Sequence, residues 1–122
     1  MSFDNSKAAL AAPGVSKVLS KWQCSEKVKS VLFGFENEAL FQLMLSNPSD
    51  YRITKEQLER MSYILNIYHS LHTIFSETEQ ADKWVNESNS NELFGGQSAI
   101  ELMKKGKVGD MALVAKYLRS QY

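Results

Sequence analysis

Residues 53–75 read ITKEQLERMSYILNIYHSLHTIF, and this stretch decides the fold. Its apolar residues recur at the spacing of an amphipathic helix. Thr54 and Gln57 have the spacing of a capping box, which predicts where the helix begins. A helix of about five to six turns, at ~3.6 residues each, is long enough to be the central element of a small domain. The predicted inward stripe is formed by Leu58, Met61, Leu65, Tyr68, His72 and Phe75, widened by Ile64, Leu71 and Ile74.

Shorter helices are predicted before this central helix. Residues 8–12 resemble a short helix that Pro13 and Gly14 end, because proline cannot continue the hydrogen-bond ladder. A second helix covers residues 15–22, with one apolar stripe. Ser25 is the predicted N-cap of a third helix that Gly34 ends. A fourth helix covers about residues 36–45. The predicted inward residues of the second helix are Val15, Val18, Leu19 and Trp22, and those of the fourth are Leu40, Phe41, Met44 and Leu45.

Short helices are also predicted after it. Ser76 with Glu79, and Ser98 with Glu101, have capping-box spacing. A polar loop over residues 86–97 joins these two helices, Gly106 ends the second, and residues 111–118 form a last helix. No alternating strand pattern occurs, so the prediction is an all-α bundle. We divide it into an N-terminal helix-turn-helix-like region, residues 1–50, and a C-terminal region, residues 51–122, that includes the central helix.

Composition excludes several classes of protein. The 122 residues include 14 basic and 14 acidic side chains, so the zero net charge argues against a dedicated nucleic-acid binder. Cys24 is the single cysteine, which excludes a disulfide or a cysteine-based zinc site within one chain. No apolar run approaches the ~20 residues of a membrane span, and residues 1–5 do not resemble a signal peptide. We therefore expect a cytoplasmic protein with no membrane partner.

The zero net charge conceals an uneven distribution. Between residues 76 and 101, six acidic side chains accompany Lys83 alone. From Lys104 to the end of the sequence, five basic side chains accompany Asp110 alone. The two stretches form either complementary faces within one chain, or an interface with a partner, or ordinary solvated helix surfaces.

Catalytic and metal-binding patterns are absent from the sequence. His69 and His72 have a spacing that would allow a shared metal, but no third ligand lies nearby in the sequence. Cys24 has no neighbouring histidine to activate it, and we expect it to be buried or half-buried. Gly95-Gly96 before a capped helix is either an anion site or, more simply, a tight turn. We expect no cofactor, no metal and no enzymatic activity; the alternative is a small enzyme that uses His69 or His72.

The region of residues 15–46 has the helix–glycine turn–helix order of a helix-turn-helix unit. Operator DNA is therefore a possible partner, and the candidate contacts are Lys27 and Lys29 for phosphates and Asn37 and Gln42 for bases. Two acidic residues at the start of the helix over residues 36–45, Glu36 and Glu38, argue against this interpretation because they would repel phosphates. The alternative is a helix pair used for packing or dimerisation.

The C-terminal third contains a motif of fixed order and spacing. It runs Ala81-x-x-Trp84-Val85, Asn91-x-x-Phe94-Gly95-Gly96-x-Ser98-Ala99-x-x-Leu102-Met103-x-x-Gly106, and Val114-x-x-Tyr117-Leu118. This pattern resembles the toxin-binding domain of the Xre/MbcA/ParS antitoxins. Residues 57–71 resemble the long helix that precedes it in that family, and the helix-turn-helix-like unit lies where Xre-type members have theirs. Ala99 departs from the family, whose members often have proline there.

The resemblance implies an antitoxin of a type II toxin-antitoxin module. It would bind and occlude the active site of a cognate toxin, commonly a RES-type enzyme that degrades NAD. The resemblance also implies a homodimer, and many members of the family repress their own operon. By position, the implied toxin-binding residues are Leu93, Phe94, Gly95, Gly96 and Ser98 in the loop and Arg119 and Tyr122 at the end of the last helix. The alternative is a DNA-binding transcriptional regulator without a toxin partner. The alternative for Trp84, Phe94 and Tyr117 is that they are simply core residues of the bundle, and for Trp84 we favour the core.

Overall fold

The computed structural model describes residues 5–122, with side chains described from Ala9 onward. Within that range the chain forms α-helices and short 3-10 helices and no strand, which confirms the predicted all-α class. The 3-10 helices are Pro48–Asp50 and Trp84–Asn86. The α-helices are α1 (Asn5–Lys21), α2 (Glu26–Phe33), α3 (Glu38–Ser46), α4 (Lys55–Ile74), α5 (Thr78–Lys83), α6 (Ala99–Met103) and α7 (Val108–Arg119).

Helix α1 continues through Pro13, so the predicted break at Pro13-Gly14 is wrong. Proline removes one backbone hydrogen bond and strains the preceding turn, at a cost of about 3 kcal/mol. Burying a Val or Leu side chain contributes about 1.5–3 kcal/mol, and several such residues share the inner face of α1. Packing against the rest of the bundle therefore outweighs the local penalty. The buried residues of this face are Ala9, Ala12, Val15, Val18, Leu19 and Trp22.

Helix α4 begins at the predicted capping box, with Thr54 and Gln57 each bonded to the other's backbone N–H. The predicted inward stripe is partly wrong. Leu65 is 43% exposed, whereas Ile67, which the stripe omitted, is fully buried. The cause is that α1, α2, α5 and α7 all pack against α4, so the buried face is set by four neighbours and not by one. Its buried residues are Gln57, Arg60, Met61, Ile64, Ile67, Ser70 and Leu71.

The residues predicted to begin and end α2 do so in the structure. The Ser25 hydroxyl accepts a hydrogen bond from the Val28 backbone N–H, and Gly34 ends α2 in the left-handed conformation, at φ 86°. Helix α3 begins two residues later than predicted, because the Asn37 side chain is its N-cap. Of the residues predicted to point inward, Phe41 and Met44 are buried, Leu45 is half-buried and Leu40 is 39% exposed.

The C-terminal helices follow the sequence signals unequally. The predicted capping box of Ser98 and Glu101 is confirmed at the start of α6. The one predicted at Ser76 and Glu79 is wrong, since α5 begins after Glu77 and no side chain caps it. Helix α7 begins three residues before the predicted residue 111.

One hydrophobic cluster connects residues from both regions of the chain. It runs from Ala9 in α1 to Leu118 in α7, with α4 between them. The division into residues 1–50 and 51–122 stays a prediction. Buried residues from both regions contribute to the same hydrophobic core. In the part of the chain that the structure describes, no helix combines the length and hydropathy needed to cross a bilayer.

Candidate functional site

An aromatic cluster holds the loop after α5 against α7. The Phe94 and Tyr117 rings meet edge to face at 5.3 Å between centroids, and Trp84 meets Phe94 in the same way at 5.7 Å. Such pairs contribute about 0.5–1.5 kcal/mol beyond the area that they bury. Phe94 is 2% exposed, while Trp84 and Tyr117 are half-buried. Phe94 therefore fixes the loop from inside and presents almost no surface to a partner.

The segment Leu93–Ser98 is a tight turn built on two left-handed glycines. Gly95 has φ 57° and Gly96 φ 84°, conformations that side chains other than glycine rarely adopt. The Asn91 side chain accepts a hydrogen bond from the Leu93 backbone N–H at 2.9 Å, which fixes the entry to the turn. Both glycines are exposed, and their missing side chains would meet open space. The turn thus offers bare backbone at the surface.

Ser98 closes this turn from the inside. It is 3% exposed, and its hydroxyl accepts a hydrogen bond from the Glu101 backbone N–H at 3.1 Å. Among the loop residues predicted to bind a toxin, the exposed positions are therefore Gly95 and Gly96, with Leu93 half-buried. Phe94 and Ser98 hold the loop in shape.

The other predicted contacts lie at the end of α7, beside α4. Arg119 is exposed, and Tyr122 is 56% exposed with its hydroxyl 3.1 Å from the Ser70 hydroxyl. Between the two helices is an open groove of about 240 Å³. It is lined by Tyr63, Asn66, His69 and Ser70 from α4, and by Ala112, Ala115, Lys116, Arg119 and Tyr122 from the C-terminal end. Tyr117 links the loop to α7 through Phe94, while the groove is formed by other residues of the same helix.

Arg60 is the residue that sequence reasoning missed as a positioning group. Its guanidinium is buried and donates hydrogen bonds to the Val31 carbonyl at 3.2 Å and to the Gly106 carbonyl at 2.7 Å. Glu56 lies 3.6 Å from the Arg60 Nε atom. Arg60 therefore joins the end of α2, helix α4 and the turn before α7. The available signal was one arginine within the apolar repeat of residues 53–75.

The predicted DNA contacts are largely engaged within the chain. Lys29 is 5% exposed, and its ammonium donates hydrogen bonds to the Ser16 and Ser20 hydroxyls at 3.1 and 2.6 Å. The Asn37 side chain caps α3, and the Gln42 amide donates to a Glu26 carboxylate oxygen at 2.6 Å. Lys27, Asn37 and Gln42 are exposed, but the Asn37 and Gln42 side chains are engaged in these contacts and Lys29 is buried.

His69 and His72 do not lie in a metal-binding cluster. The His72 Nε2 atom is 3.0 Å from an Asp82 carboxylate oxygen, which ties α4 to α5, and His69 lines the α4–α7 groove. Among the described residues, no three His, Cys, Asp or Glu side chains come together as metal ligands. Cys24 is half-buried, as expected, and burial raises the pKa of its thiol to about 11.

One comparison with known proteins matches the C-terminal part of the chain, and another matches nearly its full length. Residues 70–122 match the family model of the antitoxin Xre/MbcA/ParS C-terminal toxin-binding domain. Over 120 residues the chain is 27% identical to the uncharacterized protein y4oB of Sinorhizobium fredii, covering 98% of this chain and 90% of that protein. No solved structure matches the chain significantly. The matched range begins in the last part of α4 and includes the loop, the aromatic cluster and α7.

Proposed function

We propose, from the place of residues 70–122 in the Xre/MbcA/ParS toxin-binding domain family, that this chain is an antitoxin that binds and inhibits a toxin protein. The family match is the observation that carries the proposal. All seven residues assigned to toxin binding from the sequence lie inside the matched range: Leu93, Phe94, Gly95, Gly96, Ser98, Arg119 and Tyr122.

The exposed residues support a binding mode in which the end of α7 enters a cleft of the toxin. Arginine and tyrosine are favoured at interface centres because each joins an apolar body to a directed polar group. Arg119 and Tyr122 are both exposed. The Gly95-Gly96 turn presents bare backbone as a second exposed element, and the buried Phe94 and Ser98 hold that turn in shape. A rigid surface loses little conformational entropy when it binds.

The toxin that we propose is a RES-type enzyme that degrades NAD, in the cytoplasm of the cell. This part of the proposal comes from the family resemblance. The chain would act by stoichiometric occlusion of the toxin's active site, as a binding protein without a cofactor and without catalysis of its own.

Coexpression tests the proposal. A RES-type protein encoded beside this chain should arrest growth when it is expressed alone and should not when this chain is coexpressed. The two proteins should also elute as one complex in size-exclusion chromatography. Continued arrest at equal expression, together with separate elution of the two folded proteins, would contradict the proposed function.

Regulation by DNA binding, with or without a toxin, would compete with contacts that most of the predicted DNA-binding side chains already make within the chain. Lys29, Asn37 and Gln42 make contacts inside the chain, so the exposed Lys27 is the residue to test. If the chain represses its own operon, a mobility shift on its upstream DNA should be lost in Lys27→Glu and retained in Lys55→Glu, which carries the same charge change outside the α2–α3 pair. A shift that both substitutions leave unchanged would exclude contact through α2.

We also propose a homodimer that is formed through α3. Leu43 is 62% exposed and Leu40 39%, one turn apart on this helix, and Leu43 shares a surface depression with Tyr51. Exposed leucines at this spacing are typical of helix–helix contacts. Sedimentation equilibrium should give a dimer for the wild-type chain and a monomer for Leu43→Lys. A wild-type monomer at micromolar concentration would contradict the dimer.

A further inference from the structure

The groove between α4 and α7 has an unbalanced set of polar groups. Lys116 and Arg119 contribute two positive charges from successive turns of α7, and no residue that lines the groove is acidic. Asn66 and His69 add hydrogen-bonding groups from α4. Glu59, the carboxylate next to this region, accepts a hydrogen bond from the Tyr63 hydroxyl at 3.0 Å. The residues that line the groove therefore give it a net positive charge.

We propose that this groove receives an acidic side chain of the partner protein, an Asp or Glu carboxylate on a segment that lies between α4 and α7. The inference rests on the proposed function, and it extends the toxin-binding surface from Arg119 and Tyr122 to Asn66, His69 and Lys116. Arginine binds a carboxylate through two parallel hydrogen bonds, and a neighbouring lysine adds a second charge.

The groove is large enough for an acidic side chain. Its volume of about 240 Å³ accommodates a side chain with part of its backbone, and it lies below the range of about 300–1,000 Å³ of typical drug-sized ligand pockets. Ala112 and Ala115 keep the space between the helices open. Lys116, Arg119, Asn66 and His69 are all exposed, so a docked segment would cover them.

Nucleic acid fits this groove less well. A DNA backbone needs a row of cations that follows its phosphates. The remaining lysines of this end of the chain, Lys104, Lys105 and Lys107, lie between α6 and α7 and do not line the groove. They provide a matched control, because Lys105 is exposed and has the same charge as Lys116.

Affinity for the toxin gives the first test. Lys116→Glu should raise the dissociation constant by about tenfold or more, because it removes an attraction and adds a repulsion at a covered charge. Lys105→Glu should change it by less than about threefold, as at a solvent-exposed site. Lys116→Gln, which only removes the charge, should fall between them. Equal effects of Lys116→Glu and Lys105→Glu would overturn the proposal while leaving the proposed function intact.

A titration of the chain alone tests the groove without any toxin. In two-dimensional NMR, a hexaglutamate peptide should shift the Asn66 side-chain amide and the Lys116 and Arg119 backbone amides saturably. Lys116→Glu should abolish these shifts, and Lys105→Glu should not. Equal shifts around Lys105, or a short DNA duplex that displaces the peptide at equal charge concentration, would contradict an acidic protein segment as the occupant.

Discussion

Arg60 brings a guanidinium group into the interior and uses it to satisfy two backbone carbonyls. The Val31 carbonyl belongs to the last turn of α2, where free carbonyls and the helix dipole favour a cation. The Gly106 carbonyl belongs to the turn that orients α7. One side chain thus fixes the N-terminal helices relative to the helix that carries Arg119.

Replacement of Arg60 should destabilise the whole chain. Arg60→Met keeps much of the packing but leaves the two carbonyls without this donor, and we expect a loss of about 2–4 kcal/mol in the free energy of unfolding. Urea denaturation followed by circular dichroism measures this change. Arg52→Met, at an exposed arginine, should stay within about 0.5 kcal/mol of wild type. Similar values for the two variants would show that the Arg60 contacts contribute nothing.

Gly34 lies directly against the Arg60 side chain. Its φ is +86°, and a β-carbon at this position would lie 2.8 Å from the Arg60 Cδ atom and 2.9 Å from Nε. Gly34→Ala should therefore lower the free energy of unfolding by at least about 1 kcal/mol, from backbone strain and from displacement of Arg60. Gly14→Ala is the matched control in α1. A β-carbon added at Gly14 would meet no atom of another part of the chain within 4 Å, and alanine should raise the free energy of unfolding by about 0.5–1 kcal/mol. Equal denaturation midpoints for the two variants would contradict this account.

The Cys24 thiol should react slowly in the folded chain. Burial raises its pKa from an ordinary value of 9.0 to about 11, because the charged thiolate loses hydration. At pH 8 the thiolate fraction is then smaller than in the unfolded chain, and we expect alkylation by iodoacetamide to be at least about tenfold slower. Mass spectrometry with and without urea measures the two rates. Equal alkylation rates in the folded and the unfolded chain would mean that the Cys24 thiol is fully exposed to solvent in the folded chain.

At the scale of the helices, several signals that lie within one turn were predictable from sequence, although the capping box predicted at Ser76 and Glu79 is wrong. The capping boxes at Thr54 and Ser98, the cap at Ser25 and the left-handed Gly34 depend on neighbouring residues only. The path of α1 through Pro13 and the inward position of Ile67 were not predictable, because they depend on which helices pack against α1 and α4. Local propensity is overridden where several buried residues share one face.

Pro13 tests this competition between local preference and packing. Pro13→Ala restores a hydrogen-bond donor inside α1, and we expect the free energy of unfolding to rise by about 1–3 kcal/mol. Pro48→Ala is the control, because Pro48 begins a 3-10 helix, where proline is favoured, and its replacement should be neutral or destabilising. A loss of stability in Pro13→Ala would indicate that proline supports a bend that the packing requires.

At the scale of the whole molecule, the fold class was predictable from sequence, the place of the candidate site stays a prediction, and the geometry of that region could not be inferred. The motif around Gly95 and Gly96 identified the loop, and its order along the chain pointed to the end of α7. The groove and the Arg60 hydrogen bonds to backbone join residues that are 29 or more positions apart, such as Ser70 with Tyr122 and Arg60 with Val31. Single-sequence periodicity carries no information about such pairs.

The charge of the whole chain is zero, but its distribution over the surface is uneven. The sequence has zero net charge, yet the groove next to Arg119 is cationic. A local charge of this kind steers a complementary protein surface and accelerates its association. We therefore expect toxin binding to weaken as the salt concentration rises, and the Lys116→Glu variant to lose part of that dependence.

The rate of NAD loss catalysed by the proposed RES-type toxin tests the central claim most directly. Wild-type chain added in equimolar amount should stop NAD consumption. The double variant Arg119→Glu/Tyr122→Ala should leave at least about half of the rate at the same concentration, because two anchor residues are lost from the interface. Lys105→Glu should inhibit as the wild type does. Undiminished NAD consumption with an excess of folded wild-type chain would contradict the account.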